Sequence, residues 1–330
     1  MEGPTPVSAL IHAATMVTAG IFLIIRCSFL FEQSKTVLSV IALVGALTAF
    51  FGALSGLFLF DIKKIIAYST CSQLGYMLYS CGLSNYTAGM YHLTNHAFFK
   101  ALLFLSAGSI IHGLNNEQDI RRFGNIALKM PITFAAFLVG SLALAGTPYL
   151  AGFYSKDLIL ETAEETTNIF GNCVYFLAIS AAFLTAFYST RLIYLVFIIT
   201  PNQYRKVQSG IHESSLTLLF PLLFLSICSI FSGFVLEELF LGTSSEFFKN
   251  SIFILSNNYK IIEIEYVDML VKLLPFFFSF GGGILAIFWF HYRYRNVLHF
   301  VHSISFKTQH IFEFFNQKWF FDKNYNNIIT

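Results

Sequence analysis

His92, His96 and Lys100 follow one another at four-residue intervals. In a helix that spacing sets them along one face, about 6 Å apart per step. The run that carries them, 87–111, is otherwise apolar and long enough to cross a bilayer. Lys100 then falls near the bilayer midplane, where a charge costs about 2.5–3.5 kcal/mol on insertion scales. A lysine at that depth beside neutral imidazoles can take up and hand on protons, so proton transfer is the chemistry expected of the ladder. A single intramembrane histidine is better read as a hydrogen-bonded packing residue. Three such groups in register favour transfer.

A second lysine, Lys156, follows Ala145-Gly146-Thr147-Pro148-Tyr149-Leu150-Ala151-Gly152 inside the long apolar run 131–160. Proline removes a backbone donor and glycine loosens a helix. Gly146, Pro148 and Gly152 therefore predict a discontinuous helix. Such breaks are tolerated at membrane depth only where protein or a wet cavity satisfies the freed backbone groups, and in transporters they mark ion sites. Asp157 is an accessory partner for Lys156, although neighbours in a helix point to different faces. A lysine snorkelling to the interface is the plainer alternative. His12, with Thr15 and Thr18 nearby, adds an imidazole to the first apolar run. Asp61, Lys63 and Lys64 open the third, where interfacial anchoring explains them and a pathway role is secondary. Arg191 is read as snorkelling from the inner end of its run.

The elements that must hold these groups are membrane helices. Apolar types make up 56% of the 330 residues and charged types 12%, about half the charge of a soluble domain; the mean hydropathy is +0.66. The expected fold is all-α, a polytopic transmembrane bundle. Residues 1–290 form the membrane domain with about eight spans: 5–25, 37–60, 65–83, 87–111, 131–160 (broken), 169–199, 216–236 and 270–290. Alternating loops collect Lys63, Lys64, Arg121, Arg122, Lys129, Arg205, Lys206, Arg293, Arg295 and Lys307 on one side. The other side is mostly acidic, with Glu32, Glu161, Glu164, Glu165, Glu237, Glu238 and Glu246 among its anions. Excess Lys and Arg mark the inner side, which places both termini there. Residues 291–330 begin an amphipathic interfacial segment, mixing Phe, Trp319 and Tyr325 with Lys307, Glu313, Lys318 and Lys323. The long connection 239–268 has no role that the sequence reveals.

A net charge of +2 gives no reason to expect a nucleic-acid partner. The five cysteines lack metal-type spacing, and no Gly-rich dinucleotide fingerprint, cysteine quartet or haem signature is present. The expectation is that the chain binds no cofactor or metal and does no redox chemistry itself. The start at Met1-Glu2-Gly3-Pro4 carries neither a basic n-region nor an Arg-rich amphipathic leader, so synthesis is expected in the compartment that owns the membrane.

Several stretches carry a resemblance. They are Met1-Glu2-Gly3-Pro4-Thr5-Pro6-Val7-Ser8-Ala9-Leu10-Ile11-His12, Asp61-Ile62-Lys63-Lys64-Ile65-Ile66-Ala67-Tyr68-Ser69-Thr70, Ser72-Gln73-Leu74-Gly75, His96-Ala97-Phe98-Phe99-Lys100-Ala101-Leu102 and Gly152-Phe153-Tyr154-Ser155-Lys156-Asp157. They resemble the subunit 5 family of the proton-pumping respiratory NADH:ubiquinone oxidoreductase, complex I. Mrp-type sodium/proton antiporters share much of the pattern. Asn115-Asn116-Glu117-Gln118-Asp119-Ile120-Arg121 and Trp319-Phe320-Phe321-Asp322-Lys323 lean towards subunit 5.

The resemblance implies an antiporter-like bundle in which His12, His92, His96, Lys100 and Lys156 match the family's central hydrophilic axis. Lys156 matches its terminal lysine on a broken helix. It implies proton translocation across the mitochondrial inner membrane, coupled to NADH oxidation and ubiquinone reduction in other subunits, with NADH, FMN, iron–sulfur clusters and ubiquinone in the parent complex. The family has further spans before this stretch and a lateral helix with a final anchor after it. The expectation is therefore a split subunit, with separate chains supplying the N-terminal spans and the C-terminal anchor beside the other membrane-arm subunits and the lipid bilayer. The alternatives are a piece of an Mrp-type antiporter and a non-pumping structural subunit.

Overall fold

The computed structural model describes residues 3–164, 169–202, 208, 210–242, 247–248, 251–255, 258, 269–294 and 306–329. Long helices account for nearly all of them: α1 (Thr5–Arg26), α2 (Ser28–Glu32), α3 (Lys35–Phe58), α4 (Ile62–Gly82), α5 (Tyr86–Gly113), α6 (Pro131–Ala145), α7 (Ala151–Glu164), α8 (Ile169–Ile193), α9 (Leu216–Leu241), α10 (Met269–Tyr294), α11 (Phe306–Asn316) and α12 (Phe321–Ile329). Among the described residues there is no strand, only an isolated antiparallel bridge between Asp61 and Asp119. The fold is an all-α, polytopic helical bundle of the transmembrane type.

Five helices are long and apolar enough to cross a membrane among the described residues: Thr5–Arg26, Lys35–Phe58, Gly171–Ile198, Leu216–Leu241 and Lys272–His291. The sequence predicts about eight spans. The difference lies at 65–83, 87–111 and 131–160. Helices α4 and α5 miss the apolar criterion because they carry the polar groups of the interior: Lys63, Ser69, Thr70, Ser72 and Gln73 on α4, and His92, Asn95, His96 and Lys100 on α5, all buried. They are solvated by protein rather than lipid. The run 131–160 is two helices, and its first half, Pro131–Ala145, is short.

Two departures concern the N-terminal span. Residues Ser8–Thr15 of α1 form a π-helix, and α2 is a separate short helix.

Burial sorts the bundle into an inner and an outer set. Two thirds of the apolar window of α8 (67%) is buried, against 17% in α10. The core is built mainly from alanine, isoleucine and leucine, with Phe99, Phe104, Phe137, Tyr188 and Phe197 buried among them. Helices α3 and α4 pair without an intervening side-chain layer. A Cβ on Gly75 would lie 2.4 Å from the backbone nitrogen of Ala49, so only glycine permits that approach.

The connections at one end are held by charge. Glu117 accepts from Arg122 at 2.8 Å. Asp119 takes both nitrogens of the Arg121 fork, and the Arg121 guanidinium lies 4.1 Å from the Phe60 ring centroid. Glu213 caps α6: its carboxylate accepts from the Ile132 amide at 3.0 Å and from the Thr133 hydroxyl. With Pro131 at the first position, this anion at a helix N-terminus meets orphan donors and the positive end of the dipole.

At the opposite end the segment 251–255 is strapped to α2. The buried Glu32 carboxylate accepts from the Leu255 amide at 3.3 Å, from Asn258 at 2.9 Å and from the Tyr86 hydroxyl at 3.0 Å. Ser28 accepts from the Phe253 amide at 3.0 Å. Ile252 and Ile254 pack against Ile21, Ile25, Met77 and Tyr86.

At the C-terminus, Phe312 and Phe315 pack on Phe58, and Trp319 on Phe51. Residues 295–305 of the expected interfacial segment, and most of 243–268, lie outside the described residues.

Candidate functional site

The break in the 131–160 run positions the first functional side chain. Helix α6 ends at Gly146, whose φ of 83° is left-handed and therefore suits glycine. The Gly146 and Thr147 amides return to the Leu142 carbonyl at 3.1 and 3.2 Å. Pro148 lies in the turn that follows, with Tyr149 also at positive φ. Helix α7 then starts at Ala151 and crosses hard against α6: a Cβ on Gly152 would lie 1.7 Å from the Ala143 oxygen.

One turn into α7, the buried Lys156 reaches back across the break. Its ammonium donates to the Ala145 carbonyl at 3.3 Å and to the Thr185 hydroxyl of α8 at 3.1 Å, and lies 5.5 Å from the Tyr76 ring centroid. A cation at the carbonyl end of α6 meets the negative pole of that helix.

Helix α5 supplies the rest. Lys100 is fully buried and donates to the Ser69 hydroxyl of α4, which itself donates to the Ile66 carbonyl at 2.7 Å. Two turns away, His92 is held on both nitrogens. Its Nδ1 is 2.8 Å from Ser155 Oγ of α7, and its Nε2 is 3.1 Å from Gln73 Oε1 of α4. His96 lies between them, its ring centroid 6.2 Å from that of His92 and edge-on to Phe99. Both His96 nitrogens are buried without a hydrogen-bond partner among the described residues.

His92, His96, Lys100 and Lys156 therefore share one interior. His92 is joined through Ser155 to the helix that carries Lys156. This is a row of titratable side chains buried among α4, α5, α7 and α8. Among the described residues, no three His, Cys, Asp or Glu side chains converge to hold a metal ion.

The other residues named from sequence lie elsewhere. His12 sits in the π stretch of α1 on the exposed surface, outside the buried row. Asp61 precedes α4, two turns from Ser69, and pairs with Lys64 at 2.6 Å. Lys63 donates to the Gly3 carbonyl at 3.3 Å. Among the described residues, Asp157 forms no ion pair with Lys156, since consecutive helical positions diverge. Arg191 does not snorkel. It is buried, and its guanidinium donates to the Leu57 and Leu59 carbonyls where α3 ends. Those unpaired helix-end acceptors draw it inward instead of to the interface.

Several side chains of the candidate site are not singled out by the sequence. Ser69, Gln73 and Tyr76 occupy i, i+4 and i+7 of α4, a polar stripe of which Ser69 and Gln73 lie in the motifs above and Tyr76 directly follows one. Ser155 stood beside Lys156 in another. Thr185 and Asn95 carry no signal, because only helix packing brings Lys156 of α7 to Thr185, and Ala151 of α7 and Ser232 of α9 to Asn95.

The sequence family described as NADH:quinone oxidoreductase/Mrp antiporter, TM, matches residues 1–185, more than half of the chain. The chain belongs to the NADH:quinone oxidoreductase/Mrp antiporter family. All five helices that build the site, α4 to α8, begin within that antiporter-family match. Residues 188–254 match a second family, the NADH dehydrogenase subunit 5 C-terminus.

NADH-ubiquinone oxidoreductase chain 5 of Acanthamoeba castellanii is 50% identical over 330 residues, covering 100% of this chain and 49% of the relative. Its counterpart in Chondrus crispus is 50% identical over 341 residues, covering 100% and 50%. That of Marchantia polymorpha is 47% identical over 334 residues, covering 100% and 49%. The chain spans about half the length of the curated relatives it matches.

Among antiporter-family folds, a chain of the Mrp complex from Dietzia sp. DQ12-45-1b superposes with a TM-score of 0.71 at 24% identity, over 92% of this chain and 32% of that one. A chain of the membrane-bound sulfane sulfur reductase, an archaeal respiratory membrane complex, gives 0.60 at 30% identity, over 68% and 38%.

Proposed function

We propose that this chain is a proton-translocating membrane-arm subunit of a respiratory NADH:ubiquinone oxidoreductase. The observation that carries the reading is the buried row Lys100–His96–His92–Ser155–Lys156, ending at a cation lodged in a helix break. Buried ionisable groups in a membrane interior are costly and mark ion or proton paths. NADH oxidation and quinone reduction, with flavin, iron–sulfur clusters and ubiquinone, belong to other subunits. Those reactions bias the protonation of Lys100 and Lys156 from a distance. The relatives named NADH-ubiquinone oxidoreductase chain 5 support this assignment, as does the subunit 5 C-terminal match at 188–254.

In this reading the protein is multi-pass in the mitochondrial inner membrane with both termini in the matrix. It works beside the other membrane-arm subunits, with separate chains supplying the spans and anchor that its longer relatives contain. His12, exposed on α1, faces that neighbouring material and continues the axis. Asp61, Lys63 and Lys64 anchor the matrix end, and Asp157 lies on the outer side of Lys156.

The test is Lys156→Ala and Lys100→Ala in sealed inner-membrane vesicles, reading protons moved per NADH oxidised. The expected result is a lowered yield from an assembled complex. An unchanged yield leaves a structural subunit. Purification with sodium-dependent transport and without flavin or iron–sulfur partners would instead identify an Mrp-type antiporter.

A further inference from the structure

Ser155 stands at a hydrogen-bond junction that the proton row itself does not explain. Its Oγ lies 2.8 Å from His92 Nδ1 and 3.2 Å from the Ala151 carbonyl. One hydroxyl hydrogen cannot serve both. If it goes to Ala151, the Ser155 oxygen is left to accept from His92 Nδ1–H. If it goes to His92 Nδ1, the ring hydrogen sits on Nε2 and faces Gln73 Oε1 at 3.1 Å. The choice made by Ser155 is thus the choice of histidine tautomer.

A third group decides it. The fully buried Asn95 of α5 donates to the same Ala151 carbonyl at 3.3 Å, and its own oxygen accepts from the Ser232 hydroxyl of α9 at 2.9 Å. The Ala151 carbonyl can only accept, so the Asn95 amide turns its nitrogen to it and leaves its oxygen to take the Ser232 hydroxyl. The Tyr91 hydroxyl donates to the adjacent Gly233 carbonyl at 2.5 Å. A Cβ on Gly233 would lie 2.6 Å from the Ala151 Cα. Helix α9 is therefore seated directly on the start of α7.

We infer that Ser155 is a positioning residue that sets which nitrogen of His92 carries the hydrogen, and that Asn95, held by Ser232, occupies the Ala151 carbonyl and turns the Ser155 hydroxyl towards His92. The inference rests on the proton-translocation reading above. It gives a role to α9, which lies in the segment matching the subunit 5 C-terminus. The titratable groups facing His92 are Lys156 of α7, and His96 and Lys100 of α5. None of them bonds either ring nitrogen, which leaves Ser155 and Gln73 as the ring's hydrogen-bond partners among the described residues.

The test uses the assembled complex in sealed vesicles and reads NADH-driven proton transfer across a pH series. Ser155→Ala is expected to slow it about fivefold, the worth of one buried hydrogen bond, and to displace its pH profile. Ser155→Thr, which keeps the hydroxyl, is expected to restore both. Ser232→Ala and Asn95→Leu are expected to displace the profile in the same direction as each other, and they decide the matter if Ser155→Ala fails to assemble. An unmoved profile in these variants, with Lys156→Ala still lowering the yield, overturns the inference and leaves the function standing. An unmoved yield in Lys156→Ala overturns the function itself.

Discussion

The Lys156 ammonium and the Ala145 carbonyl, eleven positions apart in the chain, meet across the break between α6 and α7 at 3.3 Å. A continuous helix could not bring them together, because position i+11 lies about 16 Å further along its axis. The break folds the start of α7 back against the end of α6 and turns a helix terminus into a seat for the lysine.

Gly152 makes that seat possible. Gly152→Ala would drive a methyl group to 1.7 Å from the Ala143 oxygen, so α7 must shift. The expected cost is about 1–3 kcal/mol, read as a lowered unfolding temperature of the assembled complex and a reduced proton yield. Gly20→Ala, where nothing lies within 4 Å, is expected to leave both unchanged.

The cap supplied by Glu213 holds the other end of α6. Glu213→Ala leaves the Ile132 amide and the Thr133 hydroxyl without their carboxylate. A loss of about 0.5–2 kcal/mol is expected, visible as faster hydrogen exchange over the first turn of α6. Glu213→Gln, which keeps an acceptor oxygen, is expected to lose less.

Glu32→Ala should free the strap. The Leu255 amide and the Asn258 amide group lose their acceptor together, and exchange at Phe253 and Leu255 is expected to rise about tenfold. Exchange that stayed at the wild-type rate would mean that Ile252 and Ile254 hold the segment by apolar packing alone.

The turn held by Glu117 is expected to respond to acid. The hydrogen bond from the Arg122 guanidinium holds the Glu117 carboxyl below its ordinary value of 4.5. Because the folded value is depressed, this stabilisation is complete above pH 4.5 and is lost as pH falls through the lowered value. Protection of the Gln118 and Asp119 amides, which Glu117 Oε1 accepts at 3.2 and 3.3 Å, should therefore persist at pH 5 and fail in stronger acid. Glu117→Gln is expected to remove that pH dependence.

Much of the fold was legible because lipid imposes a simple rule. Apolar runs such as Lys35–Phe58 and Leu216–Leu241 announce themselves by length. The all-helical class and the family followed from such runs and from short motifs. The buried lysines and histidines stood out against that background. Less legible was everything that depends on which helix is wrapped by which. Nothing in the sequence of Asn95 says that Ser232 will meet it 137 positions later. Arg191 looked interfacial because depth along one helix was countable and the open carbonyls at the end of α3 were not. His12 shares residue type with the ladder, yet it is exposed on α1.

The contact of Gly75 with the backbone of Ala49 has a mechanical consequence. Helices shear past one another by small rearrangements of the side chains between them, and here that cushion is missing. Helices α3 and α4 therefore form a rigid anvil. A displacement of α7 is therefore expected to bend the chain at Gly146 rather than to slide α4 along α3 behind Ser69 and Gln73.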